Sequence, residues 1–482
     1  MNSDYDLTIF QMNDSHAYLE PHNELFWRGG TGSYGEAGGY VRIATVFNRA
    51  REESPESVLV LDNGDTIHGT YAAVKSRGEA MIPVLNQLGF DAMTAHWEFA
   101  YGPDRFREVA SALDYPVLAA NVFREESGEL EFAPHLVVER GGLLLGIVGM
   151  ASNIVSKTMP PHFSEGLEFT IDEGRLAEEI DRLRGDERVD LVIVLSHLGL
   201  PQELELAERV DGIDILLSGH THNRLYNPFT VNGAVILQSG CHGSFLGRLD
   251  VRAGDSGVED YSHTLIEVDP SIEPDPDVQS SIDRVMDRHR DMLGEEIGIT
   301  ETGLNRNTVM ECTMDNVLLK SMLEETGAEL AFSNGWRYGA PVPTGPVTVN
   351  DVWDIVPTDP LISRCRMRGR EIWAMMEENL ERTFSRDPYS QMGGYVKRCL
   401  GLNLFFKVEN PAGTRIHELY VGGRGVEPGR EYDVCFLTNQ GVPEKFGAER
   451  EDLDVTATEA LTQYLEASET VNGDLSGTIV PI

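Results

Sequence analysis

At 482 residues the chain is too long for one ordinary hydrophobic core and suits two domains or three. Its 79 acidic side chains against 39 basic ones leave a formal charge of −40, yet 41% of residues are apolar, so this is a folded protein with an acidic skin and not a disordered acidic chain. That charge argues against nucleic acid and anionic membranes as partners outside a local basic patch. It suits a high-salt cytoplasm, and it requires any site for an anion to supply its own positive charge.

The chain opens with MNSDYDLTIFQMNDSH, an apolar strand without the basic region and hydrophobic core of a signal peptide, and no apolar span of about 18 residues follows. The expectation is a soluble, cytoplasmic protein, monomeric or homodimeric. Through residue 250, short Val/Ile/Leu runs alternate with amphipathic stretches: YDLTIFQM, SVLVLD, FDAMTA, PVLAANV, LLLGIVGM, VDLVIVLS, GIDILLSG and AVILQSG. This is the pattern of parallel strands buried between helices, an α/β architecture. A Pro/Asp-rich segment then leads into a helix with Asp275 and Pro276 at its start and Val278, Ile282, Val285, His289 and Leu293 on one face. The remainder mixes helices such as REIWAMMEENLERTF with strands such as LNLFFKVE and YDVCFLTN. The expected division is therefore a first domain over 1–270, a linker and connecting helix over 271–296, and an α+β domain over 297–482. The five cysteines are scattered and form no C-x-x-C pair, which predicts buried thiols in a reduced compartment.

Chemistry concentrates where the strands of the first half end. Asp14 and His16 follow LTIFQMN, Asp65 follows SVLVLDNG, His96 follows FDAMTA, His197 follows VDLVIVLS, and His220 and His222 follow GIDILLSG. Ligands bind at this edge of open α/β sheets. A lone strand-end histidine is usually structural, but seven such residues on five strands suffice for two metal sites. Carboxylate and imidazole without thiolate suit Mn²⁺, with Zn²⁺ or Fe as alternatives, over Ca²⁺. Two ions about 3.5–4 Å apart lower the pKa of a bridging water and clamp the oxygens of an in-line displacement. Asp65, in a tight Gly-Asp turn, is the natural bridge.

The motifs NDSH, DNGDTIHG, LSHLG and SGHTH resemble those of the calcineurin-like metallophosphoesterases, in the order found in the 5'-nucleotidase and cyclic-nucleotide phosphodiesterase family. The resemblance extends over essentially the whole chain, including the segment FSNGWRYG. It implies a four-layer β-sandwich flanked by helices, a connecting helix and a C-terminal 5'-nucleotidase-type domain. It also implies one metal on Asp14, His16, Asp65 and His222, and a second on Asp65, His197, His220 and a residue near 96. Arg337 would be the arginine presented to the anionic substrate.

One departure matters most. Where the family has G-N-H-E-F-D, this chain has Ala95, His96, Trp97, Glu98, Phe99 and Ala100. His96 can replace the Asn ligand as a neutral nitrogen ligand. Trp97 and Ala100 replace the His-Asp pair that stabilises the transition state or protonates the leaving group, and an indole N–H only donates a hydrogen bond. G-H-W-E-F-x-Y-G is the pattern of the sulfur-oxidation thiosulfohydrolase branch, which GHTHNRL, GCHGSFLGRLD, SNGWRYG and DPYSQMGGYVKR also resemble. The nucleotidase segment T-G-G-D-G-Y is replaced by FLTNQGVPEKFG, and no aromatic loop matches the family's base clamp. A thiolate or persulfide is a weak base and leaves with little protonation, which makes the missing acid intelligible.

The substrate is therefore expected to be a small phosphate or sulfur ester or a carrier-protein thiosulfonate. Candidate catalytic residues are Arg337, His96 and His242. Candidate substrate-binding residues are Arg337, Asn334, Trp97, Tyr389 and Lys397. Glu98 is expected behind the ligands, and Cys241 is read as a small buried hydrophobe.

Overall fold

The computed structural model describes residues 5–254, 257–333 and 336–482. They divide into two compact units: one holds the chain up to His22, Glu36–Lys157 and Pro161–Arg288, the other Asn23–Gly35, Thr158–Pro160 and His289–Ile482.

The first unit is built on two sheets. Strands β1 (Leu7–Met12), β2 (Val58–Asp62) and β3 (Ala92–Met93) run parallel at the heart of one. Strands β4 (His135–Arg140), β5 (Leu143–Met150), β6 (Leu191–Ser196), β7 (Ile215–Leu217), β8 (Phe229–Val231) and β9 (Ala234–Leu237) form the other, in the order β8-β9-β7-β6-β5-β4. Strands β10 (Phe245–Gly254) and β11 (Gly257–Glu267) complete the first sheet as β11-β10-β1-β2-β3.

The period of two along each strand feeds two cores at once. Leu191, Ile193 and Leu195 of β6 pack with Ile9, Leu59, Leu61, Ile147 and Leu249. Val192 and Val194 face the other way, onto Leu176 and Ile180 of α2 (Glu173–Arg182) and Leu206 of α3 (Leu200–Arg209). The far side of the first sheet is covered by α1 (Tyr40–Glu53), whose Phe47 ring lies 5.4 Å from that of Phe10. Helix, sheet, sheet, helix make the four layers that the family resemblance implies.

Strand direction is where the wholly parallel expectation fails. Both edges of the second sheet are antiparallel, β4 pairing with β5 and β8 with β9, and in the first sheet β10 pairs antiparallel with β1 and β11 while the β3 edge is parallel. The turns explain two of these. Gly141 and Gly142 have φ of 62° and 75°, and Asn232 and Gly233 have 47° and 87°. Two successive left-handed residues make the tight hairpin turn that reverses a strand, whereas a parallel partner needs a long crossover.

Helix α4 (Pro276–Leu293) follows, with Asp275 Oδ1 accepting from the Asp277 and Val278 amides at 3.0 and 3.1 Å as its expected N-cap. In the second unit, β12 (Leu330–Ser333), β13 (Leu361–Arg368), β14 (Arg398–Leu400), β15 (Glu431–Leu437) and β16 (Ala448–Thr456) form a sheet ordered β14-β12-β15-β13-β16. Leu330, Phe332 and Met367 of that sheet share a core with Ile372, Met375, Met376 and Leu380 of α5 (Gly369–Phe384). Among the described residues no helix is long and apolar enough to cross a membrane. All five cysteines are free and buried, as expected.

The close approach of Gly149, on β5, to its neighbour is a sharp test of the sandwich. A Cβ there would meet the Leu118 carbonyl oxygen at 2.2 Å, against backbone that cannot rotate away. Gly149→Ala is expected to destabilise the chain by about 2–4 kcal/mol, read as a lowered midpoint in thermal unfolding.

Candidate metal centre

Strand register brings five chain crossings to one edge. Met12 pairs with Asp62 and Asp62 with Met93, and Leu195 pairs with Leu217, so β1, β2, β3, β6 and β7 release their loops side by side. In those loops Asp14, His16, Asp65, His220 and His222 all adopt left-handed backbone, with φ of 51°, 46°, 55°, 69° and 57°. Each such turn costs a non-glycine residue about 1–2 kcal/mol, and glycine would relieve it. The side chains occupy those positions for their chemistry, at a cost the surrounding structure must offset.

Two sets of four result, in each of which the ligand atoms lie within 4.8 Å of one another: Asp14, His16, Asp65 and His222, and Asp65, His96, His197 and His220. Asp65 belongs to both. Its Oδ1 accepts from the Trp97 amide at 2.7 Å and lies 3.2 Å from His96 Nδ1, while its Oδ2 lies 3.3 Å from His197 Nε2 and 3.7 Å from His16 Nε2. Asp14 Oδ1 stands 3.1 Å from His222 Nε2, and Asp14 Oδ2 takes hydrogen bonds from the Asn13 amide group at 2.7 Å and the His220 backbone amide at 2.9 Å.

Glu98 ties the loops together. Fully buried, it accepts from the amides of Asp65 at 3.2 Å, Thr66 at 2.7 Å and His96 at 2.7 Å, so one carboxylate sets both the Asp65 turn and the His96 turn. Burial and then the Asp65 charge push its pKa upward against those three donors.

The donor set fits divalent cations. His197 Nδ1 donates to the Asn63 carbonyl at 2.6 Å and His16 Nδ1 to the His68 carbonyl at 3.3 Å, which leaves Nε2 of each facing carboxylates. His16 Nε2 and His222 Nε2 lie only 3.4 Å apart. The Nε2 atoms of His96 and His197 are buried without a hydrogen bond, a state a metal ion relieves. Without one, burial pulls His197 down, but Asp65 and Asp14 outweigh it and push it up to about 10. Burial likewise raises Asp65, while His197 and His96 prevail and hold it well below the usual carboxylate range. A divalent cation held by these residues would take over this charge balance, with the imidazole ligands neutral.

The sequence reading did not single out His68. Its ring stacks on Trp97 with centroids 4.9 Å apart and 25° between planes, and Phe163 meets Trp97 edge-on at 6.1 Å. The signal was DTIHG, in which His68 stands three residues after Asp65. His242, also left-handed at φ 59°, has its ring 6.2 Å from that of His16 and 6.3 Å from that of His222, against Tyr18 at 4.8 Å. Its amide donates to the Asp14 carbonyl at 2.7 Å.

The other candidates lie in the second unit. Arg337 is half-buried, its guanidinium 5.7 Å from the centroid of the Tyr395 ring. Tyr389 is half-buried, with its amide donating to Asp387 at 3.2 Å. Lys397 is 6% exposed and its Nζ donates to the Gln440 carbonyl; burial, then the Arg382 charge, pull it down to about 7. Asn334 lies outside the described residues.

Residues 7–224 match the calcineurin-like phosphoesterase family and residues 294–439 the 5'-nucleotidase C-terminal domain. The trifunctional nucleotide phosphoesterase protein YfkN of Bacillus subtilis is 24% identical over 465 residues, covering 86% of this chain; the chain spans 30% of that relative's length. Among solved structures, the sulfate thiohydrolase SoxB of Thermus thermophilus superposes with a TM-score of 0.93 at 25% identity, over 100% of this chain and 98% of that one. The 5'-nucleotidase precursor of Thermus thermophilus gives 0.87 at 24% identity, over 99% of each, a likeness of fold.

Two expectations follow from these environments. Glu98→Gln keeps the shape but removes the charge and one acceptor, and is expected to weaken retention of divalent metal by about 10–100-fold, read as metal content after dialysis against graded chelator. For Lys397 the sign is set by linkage: between pH 7 and 10.5 the folded chain keeps the amine neutral while the unfolded chain protonates it, so stability rises with pH. The melting-temperature advantage of Lys397→Met over the parent should therefore shrink steadily across that window and level off below it. A difference independent of pH would mean that Lys397 stays charged in the fold.

Proposed function

The chain belongs to the calcineurin-like phosphoesterases that carry a 5'-nucleotidase C-terminal domain and is a hydrolase, and from that premise we propose that it cleaves an anionic sulfur ester, releasing sulfate from a thiosulfonate on a small thiol or on a carrier-protein cysteine. The observation that carries this reading is Trp97. Its amide is committed to Asp65 Oδ1, and its indole, 9% exposed, is stacked on His68 where related enzymes place a histidine.

Two divalent ions, with Mn²⁺ favoured and Zn²⁺ or Fe as alternatives, held by Asp14, His16, Asp65 and His222 and by Asp65, His96, His197 and His220, would activate water and offset developing negative charge. The first unit's part is to hold those ligands through Glu98 and to present His242 to the sulfonate, while Trp97 can give the leaving group no proton. Hydrolysis breaks the sulfur–sulfur bond to the sulfonate. Oxygen from water ends in sulfate, and the electron pair leaves with a weakly basic persulfide, which needs no proton from Trp97. The likeness to SoxB over the whole chain supports this reading, and the charge of −40 supports a high-salt setting.

A second reading is a nucleotide phosphoesterase, supported by YfkN and by the set of seven ligands. The two separate in a panel with Mn²⁺ at high salt containing AMP, cyclic nucleotides and a cysteine-S-thiosulfonate. The thiosulfonate is expected to give the highest kcat/KM; AMP turned over equally well or better would falsify the proposal. In the same panel the double variant Trp97→His with Ala100→Asp is expected to raise AMP hydrolysis relative to thiosulfonate hydrolysis by at least about 100-fold, the lower end of what a positioned acid contributes.

A further inference from the structure

The loop that carries His220 and His222 is built around one buried carboxamide. Gln238 directly follows β9, whose Leu237 lies beside Leu217 of β7 in parallel register, and its side chain is fully buried. Its Nε2 donates to Ser218 Oγ at 2.8 Å and to the Gly219 carbonyl, and its Oε1 accepts from Thr221 Oγ1 at 3.1 Å and from the Asn223 amide. A carboxamide has two N–H donors and two acceptor lone pairs, so its whole capacity is spent on residues 218–223. Its orientation is fixed as well. Gly219 offers a carbonyl that can only accept and Asn223 an N–H that can only donate, so exchanging the amide oxygen and nitrogen would set like against like at both. The main chain adds one more tie, the Gln238 carbonyl accepting from the Leu225 amide at 3.1 Å.

The same network reaches a third ligand. Ser218 Oγ, which accepts from Gln238, donates in turn to Glu203 Oε2, and Glu203 Oε1 accepts from the Leu198 amide at 3.1 Å. Thr221 Oγ1, which donates to Gln238, accepts from the Leu200 amide at 3.1 Å. Leu198 and Leu200 follow His197, so the His197 loop is joined to the 218–223 loop through two hydroxyls that Gln238 orders.

The two ligand sets divide between the two histidines of this loop. His220 stands with Asp65, His96 and His197, and His222 with Asp14, His16 and Asp65. Both take left-handed backbone, at φ of 69° and 57°, with Thr221 alone between them. Strained turns so close together keep their shape only where their surroundings over-determine it, and a ligand has to be held within about 0.5 Å of its working position. We propose that Gln238 is a positioning residue for both metal sites at once: it grips residues 218–223 at four points around His220 and His222, and releasing that grip loosens one ligand of each ion. The proposal rests on the two-ion reading given above and is independent of which ester is cleaved.

Titration of the full-length, chelator-stripped protein with Mn²⁺ tests this, with free Mn²⁺ read by its electron paramagnetic resonance signal. The parent is expected to bind two ions. In Gln238→Leu, which makes none of the four side-chain hydrogen bonds, both are expected to bind at least about tenfold more weakly at temperatures well below melting. A side chain that only filled space would lower the melting temperature and leave the metal affinities of the folded protein where they were. That result, in a variant that melts cooperatively, overturns the proposal. Weakening of one ion alone also overturns it, because the carboxamide then serves a single site. If Gln238→Leu does not fold, Gln238→Asn keeps the amide and draws it back by one methylene; a loss of about threefold or more at both sites supports the proposal, and unchanged affinities sink it. Fewer than two ions in the parent removes the two-ion reading and the proposal together, whereas two ions in the parent with unaltered variants removes the proposal alone.

Discussion

The first unit depends on placing one carboxylate, Asp65, out of water among imidazoles. Burial pushes its pKa up, and the nearby His197 and then His96 outweigh this and hold it well below the usual carboxylate range, with His16 Nε2 also 3.7 Å away. The same carboxylate accepts the Trp97 amide, and the Asp65 amide is held by Glu98. Three loops from three strands thus converge on one residue, and removing its charge would leave buried imidazoles facing one another with nothing between them.

That arrangement explains why the loops are strained. A strand end pointing at a common centre must turn sharply, and five of the ligand-bearing residues turn through the left-handed region. The double sheet makes this tolerable, since β1, β2, β6 and β7 are buried almost throughout and locked in parallel register. Rigid strands fix where each loop starts, and hydrogen bonds such as His197 Nδ1 to Asn63 and His16 Nδ1 to His68 fix how each ring is turned. The strain is carried by the elements best able to bear it.

Much of this was legible in the chain because metal chemistry is local in sequence: D-x-H, G-D, S-H and G-H-T-H each sit directly after an apolar run. Strand direction was less legible, although Gly141-Gly142 and Asn232-Gly233 are recognisable hairpin signals among apolar runs that otherwise read as parallel strands. What the chain hides is anything set by burial at long sequence separation. Lys397, expected to bind substrate, is buried against the Gln440 carbonyl, and Arg398 beside it is buried against Thr308. His68 gives no sign in sequence that its ring will lie against Trp97, because the contact is made between two strand-end loops.

Trp97 bears on whether the departure at 95–100 is decay or specialisation. Loss of an acid by drift leaves a hole or a polar residue in solvent, with nothing constraining its neighbours. Here the replacement is a large aromatic packed between His68 and Phe163, and its backbone still serves Asp65. An indole can donate a hydrogen bond but cannot serve as a general acid near neutral pH. Such surroundings penalise an alkoxide, which must be protonated as it departs, far more than a persulfide, which can leave as an anion. Retention of seven ligand positions beside the paired loss at Trp97 and Ala100 argues for a hydrolase with altered leaving-group demands over one that has lost its reaction.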